Sequence, residues 1–164
     1  SRKAQTDIWH ILTSGLGETG KYRGRGAVYA YGEWVVGDPD SDAIGKYSDL
    51  VSSHWGARAR VSCSTPFFYN KGRGGIVDRL EAMCKTGRAD VGQDPTIYLE
   101  YSDDGETWSN PSGKKAGKQG ETHKRIEWRR LGRFARRRIF RLSTDTSAQL
   151  YIMSLDADVT GLAY

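Results

Sequence analysis

The chain has 164 residues, 37% of them hydrophobic, and carries 25 Lys and Arg against 20 Asp and Glu, a net charge of +5. That length suits one ordinary globular domain or a sizeable piece of a larger protein. No apolar run reaches the ~18 residues of a membrane span, and none near the start resembles a secretory signal, so neither a membrane protein nor a secreted precursor is expected.

The opening SRKAQTD lacks a Met and reads as the start of an excised piece. Twenty glycines, nine Tyr, five Trp and only two Met argue against a helical bundle and for strands joined by tight turns. Cys63 and Cys84 are too few for a disulfide scaffold or a four-ligand zinc site. Two buried, reduced thiols are expected in preference to a bridge, in a chain made in a reducing cytoplasm.

Residues 1–26 are polar and Gly-rich and read as a connecting segment, leaving 27–164 as a single β-rich domain. In AVYAYGEWVVGD, residues 27–38, two apolar runs flank Gly32-Glu33, which predicts a hairpin. Residues 57–63 alternate, with Ala57, Ala59, Val61 and Cys63 on the expected buried face of a strand. Residues 76–87 fit either a helix stripe or a strand, and a strand is preferred. Strands are also expected at 96–102, with Ile97, Leu99 and Tyr101 on one face, at 123–129 with Ile126 and Trp128 together, and at 134–142. Over 147–159, Tyr151, Met153, Leu155, Ala157 and Val159 share a predicted face, and the first half should be buried on both sides. The expected fold is all-β and mostly antiparallel, a β-sandwich of about eight to ten strands, with blades of a larger β-propeller as the alternative.

The stretch YSDDGETWS, residues 101–109, has the chemistry of an Asp-box-like hairpin. Ser102, Asp104, Gly105, Thr107 and Trp108 supply a turn: a carboxylate that accepts backbone N–H groups, a glycine for the unusual φ, and an indole to pack over it. Glycoside hydrolysis needs two placed carboxyls or a Tyr nucleophile with an Arg cluster, and nothing nearby marks such a set. The turn is therefore read as structural.

Positive charge is concentrated elsewhere. Lys114 to Arg141 holds 12 Lys or Arg and two acids, while the rest of the chain holds 13 basic and 18 acidic residues. Segregation of this kind suits an anionic partner, either nucleic acid or the acidic face of another subunit. Arg129, Arg130, Arg133, Arg136, Arg137, Arg138 and Arg141 are the candidate contacts, weighed evenly against a solvated strand face. Trp128, Phe134 and Phe140 sit at strand spacing and are assigned to the core.

Asp38, Asp40 and Asp42 have calcium-loop spacing, but Ala43 and Asp49 occupy the positions that need Gly and Glu, so a surface turn is preferred. NKGRGG, residues 70–75, lacks the ending of a phosphate loop and reads as a mobile turn. His10, His54 and His123 show no metal-ligand spacing. No catalytic, cofactor or metal site is expected.

The order of segments carries one resemblance. Tyr31-Gly32 with Gly37-Asp38, then Leu99-Tyr101-Ser102-Asp104-Gly105-Thr107-Trp108-Ser109, then Gly117-Lys118-Gly120, then the strand WRRLGRFARRRIFR resembles the C-terminal part of the packaged DNA stabilization protein, the tail accessory factor of short-tailed phages. The resemblance covers residues 27–159. The turn has one glycine where the family often has two. The resemblance implies a virion structural protein in the phage tail that closes and extends the tail channel below the portal. It implies a homo-oligomeric ring in the full-length protein, contacts with tail and portal subunits, non-specific contact with packaged DNA, and no enzymatic activity. The alternatives from the residues alone are a carbohydrate-binding or sialidase-like β-module and a non-specific nucleic-acid-binding β-domain.

Overall fold

The computed structural model describes residues 11–17, 20–48, 51, 53–146, 148 and 150–162. Among them every strand pairing is antiparallel and no helix occurs. The strands in chain order are β1 (Arg25–Ala30), β2 (Glu33–Gly37), β3 (Ile44–Lys46), β4 (Ser53–His54), β5 (Ala57–Arg58), β6 (Val61–Ser64), β7 (Phe68–Tyr69), β8 (Gly75–Lys85), β9 (Thr96–Ser102), β10 (Ser112–Lys115), β11 (Ile126–Phe134), β12 (Arg137–Thr144) and β13 (Tyr151–Gly161). β1, β2 and β3 form one sheet and β4 and β5 a second. The third runs β10-β9-β12-β6, with β7 on the first residues of β12. The fourth runs β11-β8-β13.

The last two sheets make the expected sandwich. Val77, Leu80 and Ala82 of β8, with Ile126, Trp128 and Phe134 of β11, meet Ile97, Leu99, Phe140 and Leu142 of β9 and β12. The ladder puts Leu142 opposite Leu99 and Phe140 opposite Tyr101, so period-two alternation delivers one continuous apolar face. The Trp128 indole N–H donates to the Ser112 carbonyl at 2.8 Å, which lets a buried Trp keep its polar end satisfied. The core cluster and the apolar groups packed on it begin at Phe68; of the β1–β3 sheet, only Val36 is a buried hydrophobic.

The hairpin around residue 32 is present, with Tyr31-Gly32 as its central pair instead of Gly32-Glu33. Both have positive φ, 56° and 81°, which matches the right-handed strand twist of a type I′ turn. Lys71-Gly72 repeats the device, so NKGRGG is a tight turn closed by Asn70 and Arg73. Residues 76–85 are strand, as preferred.

Four expectations change. The stretch 57–63 is not one half-buried strand: β5 ends at Arg58, and only Val61–Ser64 joins the larger sheet, at its edge. Val61 and Cys63 are exposed there, on the edge strand of the sheet. The two thiols are free; Cys84 is half-buried against the core, and burial pushes its pKa up to about 11, but Cys63 is exposed. Residues 134–142 are likewise not one strand. Phe134 ends β11, the chain bends at Ala135-Arg136, and β12 begins in the opposite sheet. In β13 a register shift at Met153 exchanges the faces. Ile152 stands opposite Cys84 and Leu155 opposite Ala82, while Tyr151 and Met153 are exposed instead of doubly buried.

Candidate functional site

Two sequence candidates, the 101–109 turn and part of the arginine tract, come together in the structure. Ser102 ends β9 fully buried. Its hydroxyl donates to Asp104 Oδ1 at 2.7 Å and accepts the Gly105 N–H at 2.8 Å. The N–H groups of Glu106 and Thr107 also donate to Asp104 Oδ1, each at 2.8 Å. The Ser102 hydroxyl, then these amides, hold the Asp104 carboxyl well below the usual carboxylate range. Gly105 has φ 93°, and a Cβ there would lie 3.1 Å from the Phe67 ring, so the position needs glycine twice over.

Arginines of β12 clamp this turn. Arg138 is 3% exposed. Its Nε and Nη2 donate to Asp103 Oδ1 and Oδ2 at 2.6 and 3.0 Å, a bidentate pair. Its Nη1 donates to the Leu131 carbonyl at 2.7 Å and its Nη2 to that of Arg133 at 2.8 Å. These carbonyls converge because β11 bulges after Arg129: two residues, Arg130 and Leu131, oppose one on β8, and Arg130 takes φ 59°. The guanidinium also lies 4.2 Å from the centre of the Tyr101 ring. Arg137 sits 4.4 Å over Phe67, the ring that meets Gly105. Arg141 pairs with Glu100 through two 3.2 Å contacts and covers Trp108 at 4.0 Å, so the indole is capped by a cation.

The candidate arginines therefore divide. Arg137, Arg138 and Arg141 hold the turn to the sheet. Arg129 pairs with Glu127 at 3.1 Å. It extends a lattice on the outer face of the smaller sandwich sheet, where Arg79 bonds Glu81 and Asp158, each at 2.7 Å, and Arg125 bonds Glu81. The lattice itself sets three cations against three acids. Arg130, Arg133 and Arg136 are exposed and have no acidic partner among the described residues. Residue type alone does not separate these groups, and neither does parity: Arg136 and Arg138 both share the period of Phe134, Phe140 and Leu142, yet only Arg138 is buried.

Asp38 does not face an open loop. Arg23 bonds both its oxygens, and Ser41 donates to it at 2.7 Å. The Arg23 hydrogen bond is the main reason its pKa is lowered to about 2. Asp40 and the exposed Asp42 add no ligand to that cluster: the Asp40 N–H donates to Asp38, and its carboxylate lies 3.5 Å from Arg23. His54 Nδ1 bonds the Ser14 hydroxyl at 2.8 Å, and His123 is exposed. His10 and Asp49 lie outside the described residues.

Comparison with known families gives two matches. A family model described as bacteriophage P22 Gp10, beta-sandwich, matches residues 60–160. A second, described as bacteriophage P22 Gp10, beta-propeller, matches residues 1–52. Among curated proteins none matches the chain.

Proposed function

The chain belongs to the bacteriophage P22 Gp10 family and is a phage virion structural protein, and on that premise we propose that it acts as the C-terminal portion of a tail accessory factor. In that role the full-length protein forms a homo-oligomeric ring with tail and portal subunits, extends and closes the tail channel below the portal, and keeps packaged DNA in place. We place β1–β3 with the propeller-matched segment and β6–β13 with the sandwich-matched one, and leave the connecting residues between the two matches unassigned.

The observation that carries the reading is the division of the arginines. A channel or ring subunit needs a rigid frame presenting a few unsatisfied charges. Here Arg137, Arg138 and Arg141 build the frame, and Arg130, Arg133 and Arg136 remain exposed for an anionic surface. The reading assigns no catalysis. Glu100, just before the turn, and Asp103 and Asp104 within it are engaged in holding the chain together.

The test is assembly. The full-length protein should sediment as a closed oligomer and be found in purified virions; a monomer absent from virions overturns the proposal. The same three exposed arginines favour non-specific DNA contact as a second reading. Arg130→Ala/Arg133→Ala/Arg136→Ala should then lower the slope of log affinity for DNA against log salt by about 2 to 3, near one for each phosphate left without its arginine. An unchanged slope assigns the three to contacts between subunits.

A further inference from the structure

The outer face of the larger sandwich sheet is polar and partly roofed. Cross-strand pairing places Ser64 and Glu100 on either side of Arg141, and Ser62 beside Ser143. Partners in a ladder share a face, so these side chains lie together, opposite the face that carries Leu99, Phe140 and Leu142. The stretch before β1 crosses over them, and its Gly15 carbonyl accepts the Arg60 amide N–H at 2.9 Å. Thr13 and Gly17 on one side, with Arg60, Ser62, Ser64 and Arg141 on the other, line a cavity of about 280 Å³.

Two polar atoms on this side of the sheet are shielded from solvent and have no hydrogen-bond partner among the described residues: Arg60 Nε and Ser143 Oγ. Ser143 is 3% exposed. A buried donor without an acceptor is destabilising, and native structures rarely leave one unexplained. Arg60 also has no ion-pair partner among the described residues. The carboxylate brought to Arg141 by the ladder is Glu100, which accepts from its Nε and Nη2 and so is already engaged. Among the described residues, the guanidinium of Arg60 is therefore the charge in this cavity that lacks a counterion.

We propose that this cavity binds an oxyanion of the phosphate or sulfate class, with the Arg60 guanidinium as its principal donor and the hydroxyls of Ser62 and Ser64 as further donors. A tetrahedral oxyanion supplies several acceptors at once, and charge-assisted bonds to arginine are the strong ones. A free anion and the terminal phosphate of a nucleic acid present the same oxygens.

Titration calorimetry on the full chain at low ionic strength tests the site, using sodium phosphate in one arm and a 5′-phosphorylated oligonucleotide in the other. Saturable binding to one site is expected in at least one arm, and which arm responds identifies the source. Arg60→Ala should weaken it by about tenfold or more, the loss of a charge-assisted donor. Ser62→Ala/Ser64→Ala should weaken it several-fold, and this pair decides the question if Arg60→Ala does not fold. Lys118→Ala, which removes an exposed charge away from the cavity, should leave it unchanged. No saturable binding in either arm, or equal weakening by Lys118→Ala, overturns the assignment.

Discussion

The β1–β3 sheet and the sandwich use aromatic residues in opposite ways. In the sandwich, Trp128, Phe134 and Phe140 are 1–4% exposed. In the first sheet, Tyr29, Tyr31 and Trp34 are between 53% and 102% exposed, although Tyr29 and Trp34 pack edge to face at 5.5 Å. Both regions are antiparallel and both alternate. The difference is a second layer: β8 and β11 lie over β9 and β12, whereas no described sheet lies over β1–β3 in that way. An amphipathic strand offers a face; only another layer turns the offer into stability.

The largest effect that could break this comparison is at Trp128. Trp128→Ala should cost about 3–5 kcal/mol in chemical denaturation, since it leaves a cavity and orphans the Ser112 carbonyl. Trp34→Ala should cost under about 1 kcal/mol, as for an exposed site. Equal costs would mean that the first sheet is covered after all.

A smaller contrast lies within the arginine tract. Arg138→Ala should cost about 2–3 kcal/mol, because it strips partners from Asp103 and from two turned-in carbonyls. Arg136→Ala should stay within about 0.5 kcal/mol. Thermal melts of the two variants distinguish a framework arginine from a presenting one.

Acid gives the subtlest separation of the two regions. The Asp38 carboxyl is depressed to about 2, so its contribution is present above the unfolded value near 4 and is lost as pH falls from about 4 to about 2. Asp104 is held lower still, so the 101–109 turn should outlast the Asp38 anchor. Trp55, 5.5 Å from the Arg23 guanidinium, is a natural reporter for the first event. Its emission, read as the difference between the parent and Trp55→Phe, should change before that of Trp108 read in the same way. Asp38→Asn should abolish the early step.

Much of the sandwich is legible in the chain. Ile97, Leu99 and Tyr101 alternate, Ile126 and Trp128 alternate, and both sets of residues fall on strands where expected. The misses share a cause. Val61 and Cys63 alternate as well, yet they are exposed on the core-side face because their strand is at an edge. Met153 and Leu155 share an expected face, but one extra residue in the ladder reverses the parity. The chain bend at Ala135-Arg136 is invisible in the pattern because Phe134, Arg138 and Phe140 keep a period of two across it.

What the sequence determined by itself was the class of structure: glycine-rich turns, period-two apolar residues and a charge imbalance that make an all-β, basic-patched chain. The turn at 101–109 belongs here too, since Asp104 and Gly105 make it from bonds no more than three residues long. The tertiary structure alone decided the role of each charge. Arg136 and Arg138 are two residues apart and chemically identical. One is exposed while the other is buried against Asp103, because a salt bridge depends on what the opposing sheet and turn bring within 3 Å, and local sequence does not encode that distance.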